Sequence, residues 1–256
     1  EAVRQGFTSY GVSSHAPLPF RTRWTIDDRE QTGLYLQEFA RLKRLYGDRI
    51  ELYVGLEIDY MDEDQQPAND YFQSLPLDYR IGSVHLLHST QGEIVDIDTR
   101  PEVFREHVRL HLGGDLKRVV LAYFDKLMRM IGRGGFDFIG HADKISYNVS
   151  CCEPDILGQQ WYKDKISEYF TFIAEKGAMI EVNTKTLHRN GFLYPNKEHF
   201  GLIRTLGIPV VVNSDAHLPE LINSGRPEAL RLLKASGIGA VWQLERGVWT
   251  EVPIGE

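Results

Sequence analysis

A chain of 256 residues with 42% hydrophobic content can bury a large core, and no low-complexity tract divides it, so one domain over residues 1–256 is expected. The formal net charge of -7 disfavours a nucleic-acid partner held through many phosphate contacts, which would need concentrated Lys and Arg. No apolar run approaches the roughly 20 residues that span a bilayer, and the start lacks a signal peptide's basic-then-apolar order, so no membrane partner and a soluble, cytoplasmic protein are expected.

In chain order, the opening Glu-Ala-Val-Arg-Gln-Gly reads as a helix end capped by Gly6, and a preceding segment is expected. Strand-like apolar or β-branched runs then occupy 8–12, 51–56, 79–84, 136–139, 179–182, 209–212 and 239–243. Between them, apolar residues at three- and four-residue steps predict helices over 28–46, 102–131, 162–176, 198–206 and 227–236. Strand then helix, repeated, is the pattern of an α/β fold with parallel strands. Cys151 and Cys152 are adjacent, so they cannot join distant segments and read as reduced structural thiols.

Polar residues gather where the strands end. His15 follows the first run, Glu57 the second, His85 the third and His141 the fourth; Asn183 closes the fifth, and Asp215 and His217 follow the sixth. In a barrel of parallel strands these ends share one face, so residues spread over two hundred positions would converge. Four His with one Glu and one Asp exceed what one tetrahedral ion needs, which implies more than one divalent metal. Glu57 is the candidate bridge, because a carboxylate can span two ions and an imidazole cannot. Any single His at a strand end is more often a hydrogen-bonded structural residue; it is the joint pattern that points to metal. His107 and His111 have helical ligand spacing but lack the accompanying Glu and read as a solvated helix face. His88 reads as pointing away from His85, and His188 and His199 carry no specific signal. Gly113-Gly114 resembles loop punctuation.

The stretches Ser-Ser-His15-Ala-Pro, Gly-Leu-Glu57-Ile-Asp, Ile-Gly-Ser-Val-His85, Gly-His141-Ala-Asp-Lys, Glu-Val-Asn-Thr and Asn-Ser-Asp215-Ala-His217 together resemble the PHP (polymerase and histidinol phosphatase) superfamily, and within it the histidinol-phosphate phosphatases. The resemblance implies a distorted (β/α)7 TIM-like barrel and two or three divalent ions (Zn, Mn or Fe) on His15, Glu57, His85, His141, Asp215 and His217. It also implies a first strand bearing His-x-His, which this sequence lacks; the first run here would be the family's second, and 239–243 a terminal strand outside the barrel. The implied substrate is L-histidinol phosphate, hydrolysed by a metal-bridging hydroxide attacking phosphorus in line. Lys144, Lys185 and Arg189 are candidates to hold the phosphate, Asn183 to orient substrate, and Asp215 or His217 to protonate the leaving alkoxide. Other readings are a PHP-type protein-tyrosine phosphatase, a polymerase-associated exonuclease, which the acidic balance disfavours, and a metal-free scaffold that has lost catalysis.

Overall fold

Parallel strands alternate with helices from Ser9 to Asn213, as the apolar periodicity predicts. The computed structural model describes residues 1–255. The strands are β1 (Ser9–His15), β2 (Glu51–Asp59), β3 (Tyr79–Ser83), β4 (Leu86–His88), β5 (Ile94–Asp96), β6 (Phe138–Ile139), β7 (Met179–Asn183), β8 (Val210–Asn213), β9 (Ala240–Glu245) and β10 (Val248–Pro253). The α-helices are α1 (Arg29–Tyr46), α2 (Asp70–Ser74), α3 (Pro101–Leu110), α4 (Leu116–Arg133), α5 (Ile145–Cys152), α6 (Gln160–Glu175), α7 (Leu187–Asn190), α8 (Phe200–Leu206) and α9 (Arg226–Ala235). Among the described residues no helix is long and apolar enough to cross a membrane.

Six strands form one parallel sheet in the order β1-β2-β3-β6-β7-β8. The expected helix over 102–131 is instead two helices. Gly113 and Gly114 adopt φ of 81° and 73°, a left-handed backbone that glycine tolerates and a helix cannot contain, and Asp115 caps the new start by accepting from the Arg118 N–H. The fourth strand is also shorter than its apolar run, beginning at Phe138 rather than 136. The terminal strand does lie outside the parallel sheet, but it is half of an antiparallel hairpin with β10, which periodicity did not predict.

Alternation along the strands divides the sheet's two faces. Leu56, Ile58, Ile180 and Val182 are buried on the side covered by helices. The opposite face changes character along its length. Its lower part carries Tyr53, Tyr79, Ile81, Phe138, Met179 and Val211, a cluster on which Trp242, Leu244 and Trp249 of the hairpin pack. Its upper part carries Glu57, Asp59, Ser83, Glu181 and Asn183, all buried. The hairpin thus plugs the apolar end of the curled sheet and leaves the polar end for chemistry.

One glycine shows how tightly the lower layer is packed. A Cβ on Gly55 would lie 2.4 Å from a ring carbon of Tyr79. Gly55→Ala is therefore expected to destabilise the protein by about 1–3 kcal/mol through overpacking, read as a lower urea midpoint at unchanged m-value.

Candidate metal centre

The strand pairing itself assembles the centre. In register, His15 on β1 stands beside Glu57 on β2, Glu57 beside Ile81 on β3, and Asp59 beside Ser83, two residues before His85. His85 Nε2 and His141 Nε2 end 3.0 Å apart. Glu57 Oε1 lies 2.9 Å from His141 Nε2 and 3.3 Å from His85 Nε2, and Glu57 Oε2 lies 3.6 Å from His15 Nδ1. Four of the six expected ligands therefore meet in two overlapping groups, Glu57 with His85 and His141, and His15 with His85 and Asp59, approached from four strands.

Asp59 and Glu181 hold these groups in place. Asp59 Oδ1 accepts from both the backbone N–H and ring Nδ1 of His85, each at 2.9 Å. A carboxylate donates nothing, so Nδ1 carries a proton and Nε2 is the nitrogen turned to the cluster, there to hold a second proton or, in its place, an ion. Glu181 accepts from the His141 backbone N–H at 2.8 Å, from Asn183 Nδ2 at 3.0 Å and from Asn213 Nδ2 at 3.0 Å. His141 and Asp215 have φ of 29° and 47°, a backbone region that non-glycine residues avoid. Such outliers persist where the surroundings over-determine them and concentrate at functional positions.

The donor set fits a cation. Lone pairs of two imidazoles and a carboxylate crowd one another and repel unless positive charge lies between them. Burial opposes charging His85, but Asp59 and Glu57 overcome it and raise the imidazole to about 10. Burial likewise opposes ionisation of Glu57, yet His15, His141 and His85 hold its carboxyl well below the usual range. Nδ1 of His15 and Nδ1 of His141 are buried with no hydrogen-bond partner in the protein. Positive charge, an unpartnered His15 nitrogen turned to Glu57 and strained backbone coincide here, and the donor set fits a divalent ion.

The remaining expected residues lie at graded distances. Asp215 stands at the rim, accepting from Asn183 Nδ2 at 3.1 Å and from Lys185 Nζ at 3.2 Å. His217 is turned outward, its side chain 60% exposed and its Nδ1 3.5 Å from Asp215. Lys144 is buried and paired with Asp98 at 3.1 Å, over the Tyr194 ring. Burial opposes the charge on both partners, but each holds the other ionised: Asp98 is lowered and Lys144 raised. Arg189 is exposed on the short α7 and makes no contact with the centre. His88 is exposed, as alternation predicts. His107 departs from a solvated face, being half-buried with Nδ1 2.8 Å from the Asp96 carbonyl.

Sequence reasoning did not single out Asp59, Glu181, Asp98, Trp24 or Arg226. Asp59 and Glu181 were within reach, because each is two residues from a chosen residue, Glu57 or Asn183, on an alternating strand. Trp24 packs edge-on against His15 and His85, at 4.9 and 5.6 Å between ring centres, and no periodic pattern marks it. Asp59→Asn is expected to weaken metal binding about 10- to 100-fold by releasing the His85 ring, measured as metal affinity by competition with a chromophoric chelator.

A large cavity of about 890 Å³ opens beside the centre, bounded by the full length of β1, by β8 and by the hairpin, with Arg23 and Arg226 on its wall. A sequence profile described as the PHP domain matches residues 1–185, more than half of the chain and including β1, β2, β3 and His141. The chain belongs to the PHP-domain family. A Schizosaccharomyces pombe protein described as a probable histidinol-phosphatase is 26% identical over 261 residues, covering 96% of this chain and 82% of its own. The Bacillus subtilis histidinol-phosphatase is 25% identical over 231 residues, 85% of this chain and 84% of its own. Among solved structures, a candidate histidinol phosphatase from Listeria monocytogenes superposes with a TM-score of 0.78 at 22% identity, over 89% of this chain and 90% of its own. The Lactococcus lactis histidinol phosphate phosphatase, complexed with Zn, L-histidinol and phosphate, gives 0.67 at 16% identity, over 97% and 89%. At those identities the superpositions establish the shared PHP fold.

Proposed function

We propose that this PHP domain is a metal-dependent phosphomonoesterase that converts L-histidinol phosphate and water to L-histidinol and inorganic phosphate. The observation that carries the reading is the meeting of Glu57 with His85 and His141 at the polar end of the sheet. Its substrate is supported by relatives described as histidinol-phosphatases that align over most of both chains. His15, Glu57, His85, His141 and Asp215 would hold two or three divalent ions, zinc, manganese or iron, with His217 at the rim. Bound there, such ions lower the pKa of water and neutralise phosphate charge.

The chain's own groups do the rest. Glu57 and Asp59 fix the histidine rings before substrate arrives, so none of that ordering is left to the transition state. Asn183, tied to Glu181 and Asp215, presents a fixed amide beside the cavity. Lys185 Nζ lies 3.2 Å from Asp215 and 3.4 Å from His217 Nε2, which accepts in that contact, so giving a proton to the departing alkoxide falls to Asp215 or to a His217 ring turned away from Lys185. Arg226 lines the cavity without a carboxylate partner among the described residues, and is better placed for the phosphate than Arg189. Arg226→Gln is expected to raise KM about tenfold with kcat less affected, measured by steady-state phosphate release.

Closure of the barrel belongs to the same proposal. Among the described strands β1 pairs only with β2 and β8 only with β7, and both border the large cavity, so one further parallel strand between them would pair both edges. A single domain and a cytoplasmic biosynthetic enzyme complete the reading. The test is a comparison of kcat/KM for L-histidinol phosphate, a phosphotyrosyl peptide and single-stranded DNA with Zn, Mn or Fe supplied. Preference for the peptide or the DNA would overturn the substrate assignment.

A further inference from the structure

A second cavity, of about 710 Å³, shares no lining residue with the first. It is walled by the chain leaving β2 at 60–63, the chain at 87–90 and one side of α4. None of the candidate metal ligands lines it, so it is separate from the place where substrate would be hydrolysed.

Its charges do not balance. Lys126 is only 7% exposed, and its Nζ makes one hydrogen bond, to the Leu86 carbonyl at 2.8 Å, with no carboxylate in ion-pair reach among the described residues. An ammonium has three hydrogens to donate, so two remain for whatever enters the cavity. A buried charge without a partner is costly, and burial accordingly pulls this lysine down to about 8. Arg118 and Arg129 also line the cavity, and their guanidinium groups have no side-chain partner among the described residues. Two of the carboxylates on the wall are already engaged, Glu63 with Arg133 and Asp125 with Lys165. Asp62 is left against three cations. The remaining wall has an apolar part, with Met61, Leu87, Leu112 and Val119 all buried, and a polar edge at His88, Ser89 and Thr90.

We propose that this cavity binds a small organic anion, with its carboxylate or phosphate on Lys126, Arg118 and Arg129 and its apolar body on Leu87, Leu112 and Val119. Guanidinium groups recognise both kinds of oxyanion through paired hydrogen bonds. The volume lies within the range of small-molecule sites, about 300–1,000 Å³. The geometry also ties the site to the metal centre, since Lys126 holds the carbonyl of the residue after His85 and Met61 lies two residues after Asp59.

Benzoate is a suitable probe, with benzamide as its neutral counterpart of the same shape. In metal-loaded full-length protein with 13C-labelled methionine methyls, Met61 reports on the cavity while Met128, Met130 and Met179 do not line it. Benzoate is expected to shift the Met61 methyl saturably with a Kd of about 1 mM or tighter, and benzamide to bind at least about tenfold more weakly. Lys126→Met is expected to abolish the shift. Should that variant fail to fold, the double variant Arg118→Gln/Arg129→Gln decides, because both side chains are exposed and their loss leaves the core intact. Equal binding of benzamide, wild-type affinity in the double arginine variant, or no saturable Met61 shift with benzoate would each overturn the proposal.

Discussion

Glu57→Ala is expected to lower phosphate release by about a thousandfold, the equivalent of ~4 kcal/mol of transition-state stabilisation, while the chain still folds. The side chain lies within 4 Å of three histidines, His15, His85 and His141, so its removal dismantles the donor set at its middle. Folding is spared because the Glu57 backbone stays in the β1–β2–β3 ladder and the side chain faces a cavity rather than the apolar layer. Three measurements check this together: turnover, metal content by elemental analysis, and the urea midpoint. Lost turnover with an unfolded chain would make Glu57 structural; full turnover with normal metal content would remove it from the centre. Glu57→Gln sharpens the comparison, since the amide keeps the shape and gives up the charge that three imidazoles share.

The polar end of the sheet was legible because parallel strands impose a rule: whatever follows each strand lies on one face. His15, Glu57, His85 and His141 obeyed it. The rule says nothing about the distance from strand end to side chain, which is why Asp215 and His217, both beyond β8, reach only the rim. It also says nothing about side chains that support ligands. Asp59 was available from the alternation of β2, but Trp24 comes from an irregular segment between β1 and α1 whose path tertiary packing alone decides. The fold shows the same division. Apolar periodicity located the six parallel strands, yet it read straight through Gly113-Gly114, because a helical stripe resumes in register after a tight left-handed turn. The β9–β10 hairpin escaped for the opposite reason: β10 alternates weakly, with Val248 exposed and Trp249 packed on the sheet, so its sequence looks like a solvated tail until the apolar underside of the sheet is there to receive it.

Stripping the protein with a chelator is expected to abolish hydrolysis and to lower its thermal midpoint, with both restored by Zn, Mn or Fe. An ion that binds the folded chain alone stabilises it by about 2.7 kcal/mol when free metal stands at a hundred times Kd. For a chain of this length each kcal/mol moves the midpoint by about 2–4 °C, so removal costs several degrees and the size of the drop depends on metal concentration. The metal-free site adds to the loss, because Glu57, Asp59 and Glu181 then share buried space with rings that only protons can charge. A metal-free scaffold predicts the reverse, an unchanged midpoint and no ion in the purified protein, since its donors would already satisfy one another. They do not do so here: Nδ1 of His15 is buried without a partner, 3.6 Å from the Glu57 carboxylate, and a structure that had settled into life without metal would have little reason to leave it so.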